Sequence, residues 1–214
     1  MQNYFGNKLV IGIVAAAAFA AGIYFGVDRQ KKPASILVQD RVITVLPTAK
    51  DLRAFDLVTG DGKPFNQQSL REKYSLVFFG YTSCPDICPT TLSVLGRLYD
   101  QLEKQSQSHD MQVVFVSVDP DRDQGDKLQQ YVTYFNKNFI GVSGDEKQIA
   151  NFAGQLSASY EVMKKGKSEN YGVNHTGLLF IVNPAGKFAA ILSPPHEAEL
   201  IESRIRLLKQ LEKR

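Results

Sequence analysis

Cys84 and Cys88 are the only cysteines of this 214-residue chain, and three residues separate them. If both lie near the start of a helix, side chains four positions apart share one face, with Cβ atoms about 5–6 Å apart. Small adjustments then bring the sulfurs close enough to bond each other or to share one metal ion. A helix N-terminus adds partial positive charge and free N–H groups, which favours the thiolate that binds metal and attacks disulfides. Pro85 would tolerate an early helical position, where its missing N–H costs nothing. Three uses stay open for such a pair: a stabilising disulfide, a redox-active dithiol, and two ligands of a soft-metal site. A bridge closing so short a loop removes little unfolded-state entropy. The spacing is one residue longer than the usual C-x-x-C redox pair. The metal site is the use these residues favour.

Two thiolates need a third ligand, and the chain has three histidines. His175 stands in Tyr171-Gly172-Val173-Asn174-His175-Thr176-Gly177, a predicted loop running straight into an apolar strand. Two thiolates and one imidazole suit copper: Cu(I) favours the sulfurs, and Cu(II) gains from the imidazole nitrogen. Zinc could use the same set but normally takes a fourth ligand. The bland alternative for a lone histidine is a capping or core residue. His109, in a polar loop, and His196, ahead of a helix, are read as bystanders. Asp119-Pro120-Asp121-Arg122-Asp123 is a charge-rich strand end, of a kind that often borders an active site and is also ordinary as a solvated turn. Asp86, between the cysteines, would tune the site or accept N–H bonds at the helix start. No Ser/His/Asp array and no phosphate-binding glycine loop stands out.

The elements that must position these residues alternate. Ala54 to Phe65 reads as a β-hairpin, with Gly60 and Gly62 supplying the positive φ angles of its turn. Ser75 to Tyr81 is a continuous apolar run, suited to a buried central strand. The cysteine segment follows, then a helical pattern through Leu92, Leu95, Leu98 and Leu102. Met111 to Val118 is a second buried strand. Lys127 to Phe135 reads as a helix, Phe139 to Gly144 as a short strand, and Asp145 caps a helix through Leu156. Gly177 to Val182 and Phe188 to Leu192 form an antiparallel pair, and Glu197 to Leu211 is a closing amphipathic helix. This order predicts a layered α/β domain with a parallel core and added antiparallel strands. A cysteine pair opening the helix after a central strand is a thioredoxin-like arrangement, here with an N-terminal hairpin and an inserted helix and strand.

The 25 basic and 22 acidic side chains give a net charge of +3, which excludes a strongly basic nucleic-acid binder. Two cysteines exclude a disulfide-dense scaffold. Leu9 to Val27 is a 19-residue stretch without a charge. As a helix it would span roughly 28 Å, close to a bilayer core. Tyr24, Phe25, Arg29, Lys31 and Lys32 resemble an interfacial flank. The apolar run continues past a candidate cleavage site after Ala20, so an uncleaved anchor is favoured over a signal peptide. The predicted organisation is therefore a membrane anchor over 1–27, a tether over 28–49 and one domain over 50–214. Arg41 to Leu46 is a candidate short strand within the tether.

FGYTSCPDICPTTL, VVFVSVDPDRD and YGVNHTGLLFIVNPAGK, in that order and spacing, resemble the Sco/SenC family of copper-binding assembly proteins. The resemblance covers roughly residues 50–210. It implies a thioredoxin-like fold, usually tethered to the inner membrane, with the domain in the periplasm or the intermembrane space. It implies one copper held by Cys84, Cys88 and His175, with Asp119 as a neighbour that does not itself touch the metal. It also implies a role in building the dinuclear copper site of cytochrome c oxidase, by copper delivery, by reducing that site's cysteines through the Cys84/Cys88 dithiol, or both. Its implied partners are the copper-site subunit of that oxidase and other copper chaperones or thiol reductases. The alternative function is a thiol–disulfide oxidoreductase that transfers no metal. Thiol peroxidases of similar fold carry Thr three residues before the reactive Cys; Tyr81 stands there instead.

Overall fold

The computed structural model describes residues 42–163 and 171–213. The expected membrane anchor over 1–27 and most of the expected tether lie outside these residues. Among the described residues, no helix is long and apolar enough to cross a membrane.

The apolar run after Lys73 becomes the centre of the fold. Strand β4 (Tyr74–Gly80) is buried at every position. Ahead of it come β1 (Ile43–Asp51) and a hairpin of β2 (Leu57–Thr59) and β3 (Pro64–Phe65). After it the chain alternates through α1 (Ile87–Lys104), β5 (Met111–Ser117), α2 (Gly125–Phe135), β6 (Ile140–Ser143) and α3 (Glu146–Leu156). It ends in β7 (Tyr160–Val162), β8 (Val173–His175), β9 (Leu179–Val182), β10 (Lys187–Leu192) and α4 (Ala198–Glu212). The main sheet has the order β1-β10-β9-β4-β5-β6-β2-β3. Strands β4, β5 and β6 run parallel through two helical crossovers, while β9, β10, β1 and the hairpin add antiparallel pairs. This is the layered α/β arrangement with a parallel core that the element order predicts.

Alternation along β4 explains why both faces had to be apolar. Phe78 packs towards Phe115, which in turn meets Tyr131 of α2. Phe79 points the other way, towards Phe152 of α3 and Phe180 of β9. Helix α1 packs against α2 and α4, and α3 covers the opposite face. Asp145 accepts from the N–H groups of Lys147 and Gln148, both at 2.9 Å, and so caps α3 as its type predicts.

The structure departs from the sequence reading in three elements. The short strand expected over Arg41 to Leu46 within the tether is present, but it runs on to Asp51 as edge strand β1 (Ile43–Asp51), which pairs with β10. The pairing is interrupted between Val45 and Lys50, where Pro47 has no N–H to give a ladder. In the hairpin, Gly62 alone takes a positive φ, of 84°. Gly60 serves close approach instead, because a methyl there would stand 2.8 Å from the Gln129 backbone of α2. Finally, β7 and β8 form a separate two-stranded ribbon that the pattern of apolar residues does not reveal.

Candidate metal centre

Sheet register brings three segments to one end of the molecule. Phe78 of β4 stands opposite Leu179 of β9, and Gly80 lies alongside Ser117 of β5. The chain leaving β4 carries the cysteines, the chain entering β9 carries His175, and the chain leaving β5 carries Asp119 to Asp123. All three therefore meet where the parallel strands end.

The cysteines are not both on the helix. Cys84 sits in the turn before α1, where its N–H donates to the Tyr81 carbonyl at 3.2 Å. Cys88 is the second residue of α1. Cys84 precedes Pro85, which biases it away from helical geometry, whereas Cys88, although it precedes Pro89, is held inside the first turn. Pro89 occupies the tolerated early position in the first turn instead. The Asp86 side chain makes no capping bond.

Cys84 Sγ, Cys88 Sγ and one His175 ring nitrogen all lie within 4.8 Å of one another. His175 Nε2 is 3.7 Å from the Cys84 sulfur and 3.3 Å from the Cys88 sulfur. Both cysteines are free thiols. A metal bound at about 2.0–2.3 Å to nitrogen and sulfur needs nitrogen–sulfur edges of roughly 3.3–3.8 Å, so the donor set fits one ion. The other ring nitrogen, Nδ1, lies 3.2 Å from the Thr176 carbonyl. A carbonyl can only accept, so the Thr176 bond assigns the hydrogen to Nδ1 and leaves Nε2 facing the sulfurs, with the Phe79 carbonyl a second backbone acceptor at the ring. His175 itself ends β8, held opposite Tyr160, rather than lying in a loop. Its ring meets the edges of Phe78 and Tyr81 at centroid distances of 5.9 and 5.8 Å, which fixes its plane. Burial lowers the His175 pKa, so the imidazole stays neutral, the ligand form.

Cys88 does not follow the expected helix-end effect. Cys88 is 0% exposed, and burial pushes its thiol well above the ordinary range. Desolvation outweighs the partial charge of the helix end. Metal binding at Cys88 must therefore release a proton. Cys84 is 9% exposed and forms the outer side of the set.

Two glycines make room. A methyl at Gly80 would meet the Cys88 sulfur. A methyl at Gly177 would stand 2.6 Å from Cδ1 of Ile87, the residue just before Cys88. Ile87 is 37% exposed and lies over the segment that follows His175.

The charged strand end is solvated only at Asp121, which is exposed. Asp119 and Asp123 are 1% and 0% exposed. Asp123 accepts from the Thr82 N–H at 2.6 Å, the Thr82 hydroxyl at 2.5 Å and the Ser117 hydroxyl at 2.8 Å. It thereby clamps the chain two residues before Cys84. Asp119 accepts from Arg122 Nε and, at 2.5 Å, from the Tyr171 hydroxyl. The Arg122 guanidinium lies 3.8 Å above the Tyr171 ring centre. Partial burial and then the bond to Asp119 push the Tyr171 pKa up to about 12. Asp119 thus ties the start of the His175 segment to β5 without touching the donors. Gly80, Thr82, Asp123, Tyr171 and Gly177 were not legible as site residues, although the acidic run around Asp123 was a signal.

His109 lies in a short 3-10 turn, exposed, with Nδ1 3.0 Å from the Ser106 carbonyl, far along the chain from the site. His196, read as a bystander at a helix start, is half-buried, and its Nε2 lies 2.6 Å from the Gly177 carbonyl.

The SCO1/SenC family model matches residues 45–210. The SCO2-like protein of Rickettsia conorii is 34% identical over 63% of this chain and 65% of its own length, so the chain spans just under two thirds of that relative. The structure of Arabidopsis thaliana ScoI with copper bound is 28% identical, covering 76% of this chain and 98% of that one, with a TM-score of 0.67. Apo Sco1 of Thermus thermophilus is 34% identical, covering 78% of this chain and 95% of that one, with a TM-score of 0.67.

Proposed function

The chain belongs to the SCO1/SenC family, and from that premise we propose that it is a membrane-anchored copper metallochaperone serving the dinuclear copper site of cytochrome c oxidase. The observation that carries the copper reading is the convergence of Cys84, Cys88 and His175, with Nε2 of His175 freed for a metal by the Nδ1 bond to Thr176. Copper is the cargo. Two sulfurs hold Cu(I), and the imidazole adds affinity for Cu(II). Cys88 gives up its proton on loading, and Asp119 acts indirectly, by fixing Tyr171 at the start of the His175 segment. The uncharged stretch from Leu9 to Val27 supports an anchor in the inner membrane with the domain on the periplasmic or intermembrane-space side.

The free thiols favour a second activity at the same place. Attack by the Cys84 thiolate on a partner disulfide, followed by Cys88 on the mixed disulfide, would reduce the partner. Two electrons and two protons pass to the partner's cysteines, and a Cys84–Cys88 disulfide remains. That disulfide removes both thiolate ligands, so redox state and copper release are linked.

Copper titration of the reduced full chain tests the first reading. One copper per chain with thiolate-to-Cu(II) absorption is expected, lost in the Cys84→Ser/Cys88→Ser double variant and weakened in His175→Ala. Unchanged stoichiometry and spectrum in the double variant would overturn it. Oxidase assembly rescued fully by His175→Ala would favour reduction over delivery.

A further inference from the structure

Three segments close on one another beside the donor set. The first is the cysteine segment, through Ile87. The second is the connection from β8 to β9, through Thr176 and Gly177. The third is the turn between β10 and α4, which holds Pro194 and His196. Gly177 lies between the other two: a methyl on it would be 2.6 Å from Ile87 Cδ1 and 3.9 Å from Pro194 Cγ. Its carbonyl is 2.6 Å from His196 Nε2. A carbonyl only accepts, so Nε2 of His196 carries the hydrogen and donates it.

Two consecutive carbonyls are therefore each held by a histidine. The Thr176 carbonyl takes the Nδ1 hydrogen of His175, and the Gly177 carbonyl takes the Nε2 hydrogen of His196. The peptide planes that carry them are adjacent, so holding the second restrains the first. That restraint reaches the bond that sets which nitrogen of His175 faces the sulfurs.

We propose that His196 is a positioning residue of the metal centre, which orients His175 by anchoring the Gly177 carbonyl. The inference rests on the reading that His175 is a ligand. A second feature agrees with it. Nδ1 of His196 is buried with no hydrogen-bond partner among the described residues. Burying an unpaired acceptor costs about 1–3 kcal/mol, so the fold bears a cost to place this donor here. Burial also lowers the His196 pKa, which keeps the ring neutral with a single N–H.

The test compares His196→Gln, whose side-chain amide can still donate to Gly177, with His196→Ala, which cannot. In the metal-free full chain, ring nitrogen NMR reads the His175 tautomer. Wild type and His196→Gln should show the hydrogen on Nδ1; His196→Ala should show a mixture. On copper titration, His196→Ala should bind about 10–100-fold more weakly, as loss of a ligand's supporting bond does elsewhere, with a shifted thiolate-to-Cu(II) band. His196→Gln should stay near wild type in both. A His196→Ala chain with a wild-type tautomer and copper affinity overturns the proposal, as does a His196→Gln chain no better than His196→Ala. Should His196→Ala not fold, His196→Leu supplies the donor-free arm. His175→Ala separates the two failures: if it binds copper as wild type does, the ligand reading has failed and not the role of His196.

Discussion

A methyl group at Gly80 would stand 2.5 Å from the sulfur of Cys88 and 2.8 Å from Cε2 of Phe115. The last residue of the central strand is thus bare so that a donor atom can lie directly against the sheet. Gly80→Ala should destabilise the fold by about 1–3 kcal/mol, the usual cost of overfilling a packed core. It should also displace Cys88, which urea unfolding and the thiolate-to-Cu(II) band would report together. A variant unchanged in both would mean that the contact yields without cost.

Asp123→Ala removes the acceptor for four donors at once, two of them on Thr82 and one each on Ser117 and Lys127. Hydrogen bonds to a charged group contribute about 1.5–3 kcal/mol each, and such losses are not additive. A drop of about 3 kcal/mol in unfolding free energy is expected. The turn carrying Cys84 should loosen, with faster amide exchange at Thr82 and Ser83. Asp119→Ala, which does not touch that turn, should leave the exchange at Thr82 nearly unchanged.

The pH dependence follows from His175 and His196 together. Burial lowers both pKa values, at His196 partly opposed by the Gly177 carbonyl. A histidine depressed in the folded state contributes no penalty above its unfolded value of about 6.5. As pH falls below that value the unfolded chain takes up a proton that the folded chain refuses, so stability drops until the folded pKa is passed. Melting of the metal-free chain between pH 8 and pH 5 should show this fall, and His196→Gln should make it shallower, leaving the part that His175 contributes. An equally steep fall in His196→Gln would assign the effect elsewhere.

Iodoacetamide should label Cys84 before Cys88, because Cys84 retains slight exposure while Cys88 has none and holds its proton firmly. Peptide mass spectrometry of the reduced chain reads the order. One equivalent of copper should block both sites, and removing it with a chelator should restore the labelling. Equal labelling of the two thiols would contradict the burial difference.

The sequence made the central strands, the helices and the donor residues legible because each leaves a local mark. The run from Ser75 to Tyr81, apolar from Leu76 to Phe79, has the length and composition of a strand buried on both faces, and the cysteine spacing is visible by inspection. What stayed hidden depends on tertiary partners. The three-residue strands β7 and β8 are too short to show alternation. Pro47 concealed the second half of β1, because a proline inside a run argues against a strand unless that strand lies at an edge. Asp123 could not be told from Asp119 until the parallel register of β4 and β5 placed Thr82 beside it. His196 lies 21 positions beyond His175, and nothing local records that Gly177 lies between them.

Strand β1 changes the reach of the copper site. With the expected tether ending at residue 49, the donor set would range freely around whatever holds the chain's beginning. Residues 43–49 are instead locked into the sheet, which at about 3.3 Å per extended residue removes roughly 23 Å of leash. On the proposed function, with an anchor in a bilayer and an integral membrane oxidase receiving the copper, that shorter leash would confine delivery to a thinner shell above the headgroups.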